Sequence, residues 1–370
     1  MLDRLPLELV DHVVRLTLPR PFSFSQYRER QDTLLALCRT SKEMRAVAQP
    51  LLFEVVELTT ADEVEGFVQA VKVTKLGGRV RQVRIGNDYE VGGQRHVPVG
   101  GLETLAASCP GVVHFHLHGI ELSIASLESF THLHTLIISE TRLSPLDRDF
   151  QLPTLEELSL IFTHFTPTHI IPSHYPALKA LHFQHCGAFG LEPSALQQII
   201  QHVESLSCDA LDVRLAMRGA PRSVRVLQDL RPVHFTEEPG LRERVTFLRL
   251  HPTATTDSFP DLWQPGHRGM EDEYAEWAVD LQVMAELIDE GEAPSLCLLI
   301  LSSSFSGQSS KLDAALSHLR DACTARGIEV VDEPPFNPHY DSLVSQEFWR
   351  RCKAVKEQEE RTKEVEAGRK

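Results

Sequence analysis

Residues 2–16, LDRLPLELVDHVVRL, decide how the first part of this chain folds. Pro6 stands where the first turn of a helix begins. A proline is tolerated there because the first amides of a helix have no intrahelical partner. Apolar residues then recur at steps of four, four and three and share one helix face: Leu5, Leu9, Val13 and Leu16. The stretch predicts a short amphipathic helix.

Two further apolar patterns follow within the next forty residues. The first is Leu34, Leu37 and Cys38, and the second is Met44, Val47, Ala48 and Leu51. Thr40 and Glu43 have the spacing of a capping box, which predicts a helix start between the two patterns, and the third helix should end near Pro50. Short helices that are apolar on one side only do not fold in isolation. We therefore expect the three helices to pack together and to need a partner.

This segment resembles an F-box. The matching residues are Leu5-Pro6-x-Glu8-Leu9, Val13, Leu16, Leu37-Cys38-x-x-Ser41-Lys42 and Gln49-Pro50-Leu51-Leu52-Phe53. F-boxes dock onto the Skp-type adaptor of cullin–RING ubiquitin ligases, so the resemblance implies that role. The adaptor-binding residues would be Leu5, Pro6, Leu9, Val13, Leu37, Pro50 and Leu51. The alternative interpretation is that residues 1–56 only cap a larger core.

Composition restricts the classes of partner. The formal charge is −15, which argues against nucleic acid because phosphate binding needs a basic surface. Seven cysteines are scattered along the chain without a C-x-x-C pair, as in proteins of a reducing compartment. The longest apolar run, residues 296–301, is too short to cross a bilayer. We expect a cytoplasmic or nuclear protein without a membrane partner.

A repeated pattern, apolar-x-x-apolar-x-apolar, begins near residue 80. It fits 80–85, 112–117, 133–138, 155–160 and 178–183, with weaker copies at Cys208-Leu211-Val213, 245–250 and 296–301. The middle residues Phe115, Leu136, Leu158 and Leu181 are 21, 22 and 23 residues apart. This spacing lies within the range of about 20–29 residues of leucine-rich repeats, which the pattern resembles. The resemblance implies short strands stacked in a parallel sheet.

The last third of the chain continues as alternating helices and strands. Residues 271–290 carry an apolar stripe at helical spacing beside many acids, and a further helix opens at Pro193. Strands at 296–301 and 328–331 flank a helix at 311–325. We divide the chain into an F-box-like domain (1–56), a repeat solenoid (57–332), and a linker with a charged C-terminal tail (333–370).

Histidines dominate one strand, His114-Phe115-His116-Leu117-His118. Side chains alternate along a strand, so the three histidines share one face, opposite Phe115 and Leu117. A metal-dependent enzyme built on this row is one alternative. Zinc needs ligands that converge within about 2 Å of one ion, and neighbouring strands do not supply them. The sequence contains no nucleotide-binding, hydrolase or metalloprotease motif. We predict neither an enzyme nor a bound cofactor or metal.

The combined prediction is an α/β protein with a three-helix F-box-like head and a leucine-rich-repeat solenoid, similar to fungal F-box proteins of this layout. It would be a substrate receptor of a Skp–cullin–F-box ubiquitin ligase. An unknown target protein would bind the exposed sheet face, at His114, His116, His118, Thr135, Ile137, Glu157, Ser159, His182, Gln184, Asp212 and Arg249. The alternative is a repeat scaffold that binds partners without ubiquitylation.

Overall fold

The computed structural model describes residues 6–18, 27–86, 95–96, 99–146, 149–184, 198–208, 226–228, 235–236, 239–250 and 268–333. Leu5, the start of the helix predicted at Pro193, Asp212 and the tail beyond residue 333 lie outside these ranges. The chain forms two compact units. The first holds the described residues up to Leu178, and the second holds Lys179–Gln184 and the described residues from 198 to 333.

Three helices open the first unit, as predicted. They are α1 (Leu7–Thr17), α2 (Tyr27–Thr40) and α3 (Lys42–Leu52). Their apolar sides form one small core: Val10, Val14, Leu18, Leu34, Val47, Ala48 and Leu51. The predicted cap of α3 is wrong by one residue. Ser41 is the N-cap and accepts from the amide of Met44 at 3.1 Å, while the Thr40 hydroxyl donates to the carbonyl of Leu37.

The predicted parallel sheet follows these helices. Its strands in the first unit are β1 (Val55–Leu58), β2 (Gln82–Ile85), β4 (His114–His118), β6 (Thr135–Ser139) and β8 (Glu157–Ile161), in that order. A smaller parallel sheet contains β3 (Arg95–His96), β5 (Ile120–Leu122) and β7 (Arg142–Leu143). Helices α4 (Ala61–Thr74) and α5 (Val99–Ser108) connect successive strands. Short 3-10 turns make the later connections, as at Ile124–Ser129.

The register of these strands follows the repeated pattern. Val83 pairs with Phe115, Phe115 with Leu136, and Leu136 with Leu158, so the middle residue of each copy stands beside the middle residue of the next. All four side chains are completely buried. Apolar residues that alternate along a strand form one buried sheet face, and this fixes the register because a slip of one residue would expose all of them.

A left-handed residue ends three successive strands at the same position. Gly119, Glu140 and Phe162 have φ of 64°, 50° and 47° and directly follow β4, β6 and β8. Their preceding residues, His118, Ser139 and Ile161, occupy equivalent positions in the ladder. Only the first of the three is a glycine, which adopts this conformation without steric cost.

Six parallel strands lie within the described residues of the second unit: β9 (Ala180–Gln184), β10 (Ser205–Cys208), β11 (Val226–Gln228), β12 (Phe247–Leu250), β13 (Leu298–Ser302) and β14 (Glu329–Glu333). The predicted copy Cys208-Leu211-Val213 is wrong, because Leu206 pairs with Leu181 and Leu211 lies outside the described residues. Strand β11 was not predicted.

Helices α6 (Pro239–Arg242), α7 (Arg268–Glu290) and α8 (Ser310–Ala325) also lie in this unit. The last two confirm the helices predicted at 271–290 and 311–325. Trp277 of α7 is buried, and its ring centroid lies 4.9 Å from that of Phe305.

Candidate protein-docking site

Helix α1 has two apolar faces, and only one of them is buried. Val10, Val14 and Leu18 pack into the core shared with α2 and α3. Leu9, Val13 and Leu16 remain 51%, 46% and 72% exposed. Because a helix turns by about 100° per residue, these three side chains fall within about 60° of one another. We call Leu9, Val13 and Leu16 the α1 apolar face.

The start of α1 is fixed by its own backbone. Pro6 is the N-cap, and its carbonyl accepts from the amides of Leu9 and Val10 at 3.0 and 3.2 Å. The proline ring restricts φ to a value compatible with the first turn, so little further backbone order is lost when the helix forms. The α1 apolar face is therefore presented on a regular helix.

Ion pairs connect α1 to the rest of the head through Glu54. The guanidinium of Arg15 lies 3.3 Å from Glu54 Oε1 and 2.9 Å from Asp11 Oδ2. The guanidinium of Arg30, from α2, donates to Glu54 Oε2 at 3.0 Å. Arg30 is buried, and desolvation lowers its pKa while the charge of Glu54 opposes that shift. Neither Arg30 nor Glu54 was singled out by the sequence, since they are 24 residues apart.

A second polar contact fixes α2 against the end of α3. The side-chain amide of Gln31 donates to the carbonyl of Val55 at 3.2 Å, at the start of β1. Leu34, one turn later on the same helix, is completely buried in the head core. Leu35 follows it in sequence, faces away from that core and is largely exposed. Helix α2 thus adds one more large apolar side chain to the surface of the head.

The structure separates the predicted adaptor-binding residues into three groups. Pro6, Leu9 and Val13 are exposed, whereas Leu37 and Pro50 are half-buried. Leu51 belongs to the head core and offers almost no surface, so it supports the helices from within. Leu5 lies outside the described residues. Three exposed apolar residues were missing from the predicted set, namely Leu7, Leu16 and Leu35.

The predicted target-binding row has a different environment from the one expected. The prediction that these residues lie on an exposed sheet face is wrong. Thr135 is half-buried, and the other side chains that the structure describes are buried: His114, His116, His118, Ile137, Glu157, Ser159, His182 and Arg249. The side chain of Gln184 and all of Asp212 lie outside the described part.

Hydrogen bonds between neighbouring strands account for part of this buried polar row. The hydroxyl of Ser139 lies 2.9 Å from His116 Nε2 and 2.9 Å from His118 Nδ1, which links β4 to β6. In the second unit, Arg249 forms an ion pair with Glu333 at 3.0 Å. Burial lowers the pKa of His114 to about 4, so this imidazole is neutral near pH 7. These contacts hold the strands to one another.

The histidine row does not form a metal site with the other residues that the structure describes. Within the residues that the structure describes, no three His, Cys, Asp or Glu side chains converge as the ligands of one ion. Two of these histidines, His116 and His118, lie within hydrogen-bonding distance of the same hydroxyl group, that of Ser139.

The fold and site define a mixed α/β protein with N-terminal helices, a parallel sheet and an exposed apolar helix face. No known protein-family model matches the chain, and no curated protein resembles it in sequence. None of the described helices combines the length and the apolar composition that a membrane crossing requires.

Proposed function

We propose that this protein is the substrate receptor of a Skp–cullin–F-box ubiquitin ligase and that its N-terminal helices dock the Skp-type adaptor. The observation that carries the proposal is the α1 apolar face. Leu9, Val13 and Leu16 are open to solvent on a helix whose opposite face is already packed. A helix that needed only to cap the sheet would not require large aliphatic side chains on both sides.

The size of this surface is compatible with a docking interaction. Covering the exposed parts of three aliphatic side chains stabilises a complex by about 3 kcal/mol, which corresponds to about 100-fold in affinity. Pro6, the exposed N-cap residue of the same helix, would extend the contact. The remaining affinity would come from polar contacts at the rim of the interface.

We also propose that the parallel strands form an irregular leucine-rich-repeat solenoid. Two observations support this: the in-register pairing of Val83, Phe115, Leu136 and Leu158, and the left-handed residue that recurs after β4, β6 and β8. The solenoid would hold a target protein beside a ubiquitin-charged enzyme and raise its effective concentration there. Such a receptor performs no bond chemistry itself and works in the cytoplasm or nucleus.

The test is binding of the full chain to a purified Skp-type adaptor. Wild-type protein should bind, and Leu9→Asp should weaken binding at least 100-fold, because it places a carboxylate in an apolar contact. Val73→Asp is the matched control. Val73 is 82% exposed and belongs to α4, outside the three head helices, so its replacement should leave adaptor binding unchanged.

The scaffold alternative predicts a different result. If the head only caps the solenoid, a folded wild-type chain will not bind the adaptor at micromolar concentrations, and Leu9→Asp will have no effect. Circular dichroism of wild type and of both variants checks whether each of them is folded. A chain that binds the adaptor through Leu9 but supports no ubiquitin transfer to any co-purified protein would contradict the receptor part of the proposal alone.

A further inference from the structure

A second exposed apolar pair lies on α7, in the second unit. Val279 and Val283 are 61% and 41% exposed and stand one turn apart. The opposite side of the same helix is completely packed, with Trp277, Leu281 and Met284 buried. Glu286 and Glu290 are exposed, and at about 100° per residue they project within about 60° of the two valines. We call Val279, Val283, Glu286 and Glu290 the α7 outer face.

Apart from Arg268, its first residue, the charged residues of α7 are all acidic. No Lys, Arg or His follows Arg268 up to the end of α7. Glu286 and Glu290 are four residues apart, a spacing at which like charges on a helix repel each other. They also lie near the C-terminal end of α7, where the helix dipole disfavours anions. Glu286 has a weak contact with the side-chain amide of Gln282, at 3.5 Å, which leaves its negative charge in place.

We propose that the α7 outer face binds a basic amphipathic helix of another protein. Aliphatic anchors of that helix would cover Val279 and Val283, and its Lys or Arg side chains would neutralise Glu286 and Glu290. A helical partner fits because anchors one turn apart match the i and i+4 spacing of a second helix. A second copy of this chain does not fit, since two acidic faces would repel each other, and an anionic lipid surface is repelled for the same reason.

This inference is independent of the α1 apolar face and of the adaptor. Because the described strand row is buried, a target protein needs another surface, and the α7 outer face is exposed and chemically selective. The two valines are a small apolar area, so the affinity should be modest and depend on salt.

The experiment uses the full chain and a fluorescein-labelled helical peptide of about 18 residues, with Leu at heptad positions a and d and Lys or Ala elsewhere. A scrambled peptide of identical composition is the comparison. Fluorescence anisotropy should give a Kd of about 10–100 µM in about 50 mM salt, weakened several-fold in about 300 mM salt. The scrambled peptide should bind at least 10-fold more weakly, because it presents no apolar stripe.

Two variants separate the apolar and the charged contributions. The double change Val279→Ser/Val283→Ser should lower the affinity for the helical peptide at least 10-fold. The double change Glu286→Gln/Glu290→Gln should lower this affinity and also make it depend less on salt. Val73→Ser, an exposed valine on α4, is the control and should bind like wild type. The four positions of the two double variants and the control position are all exposed, so the thermal midpoints of the three variants should remain close to that of wild type.

Three results would overturn the inference. The helical and scrambled peptides could bind with equal affinity, which would mean that the acidic protein attracts any basic peptide non-specifically. Binding could persist unchanged in the valine double variant. Sedimentation could show that the chain dimerises through Val279 and Val283, which would make a second copy the occupant in place of a basic partner.

Discussion

The carboxylate of Glu54 accepts a hydrogen bond from the buried guanidinium of Arg30 at 3.0 Å. Replacing Glu54 by alanine removes this carboxylate from beside the buried cation. We expect Glu54→Ala to lower the free energy of unfolding by about 1–3 kcal/mol, measured by urea denaturation. Glu54→Gln, which keeps an acceptor oxygen, should recover part of the loss. Glu65→Ala, an exposed position on α4, is the control and should change stability by less than about 0.5 kcal/mol.

Val13 and Val14 are adjacent and identical in chemistry, but only Val14 is buried. Val14→Ala should cost about 1–3 kcal/mol of stability because it removes methyl groups from the head core. Val13→Ala should be neutral within about 0.5 kcal/mol in the free protein and should weaken adaptor binding. Equal losses of stability at both positions would show that the α1 apolar face is packed and is not a surface.

Gly66 and Gly86 differ in whether the structure has room for a side chain, so the same glycine-to-alanine change can be compared at the two positions. A Cβ at Gly66, within α4, meets nothing within 4 Å, whereas at Gly86 it would stand 2.0 Å from the carbonyl oxygen of His118. Gly86 also has a φ of 137°. Gly66→Ala should raise stability by about 0.5–1 kcal/mol through helix propensity. Gly86→Ala should destabilise the protein severely, and the thermal midpoints measured in parallel should shift in opposite directions.

The pKa of His114 makes stability depend on pH. Burial lowers this pKa from 6.5 to about 4, so between these values the unfolded chain binds a proton that the folded chain does not. The contribution of His114 to the free energy of unfolding is therefore undiminished above pH 6.5 and falls by about 3 kcal/mol as the pH drops to 4. Urea denaturation of wild type and His114→Gln between pH 7.5 and 5 checks the slope, which should be smaller in the variant. Replacement of His132, an exposed histidine, is the matched control.

The strands whose residues alternate between apolar and polar were predictable from sequence. Leu136 and Leu158 pair as expected because a buried sheet face requires apolar residues at every second position. The copy near Leu206 was assigned to the wrong residues, since the spacing between copies is irregular there and several short apolar patterns compete. Strand β11, at Val226–Gln228, has too short a pattern to be recognised.

The environments of polar side chains were not predictable in the same way. His116, Glu157 and Ser159 have the composition of a solvated face, but all three are buried. The sequence of one strand contains no information about what packs over it, so its polar face was taken to be open. The pairing of Arg30 with Glu54 depends in the same way on how distant parts of the chain meet. Local sequence patterns predicted the helices and strands, whereas the burial of charged side chains became visible only in the three-dimensional structure.

Leu9, Val13 and Leu16 share α1 with the residues that hold the head together. The helix cannot turn this face inward without withdrawing Val10 and Val14 from their packing. Without a bound partner, the chain therefore keeps the α1 apolar face exposed to water. We expect overproduced protein to precipitate or to bind chaperones unless the proposed adaptor is produced with it, so that the yield in cells would depend on the ratio of the two proteins as well as on intrinsic stability.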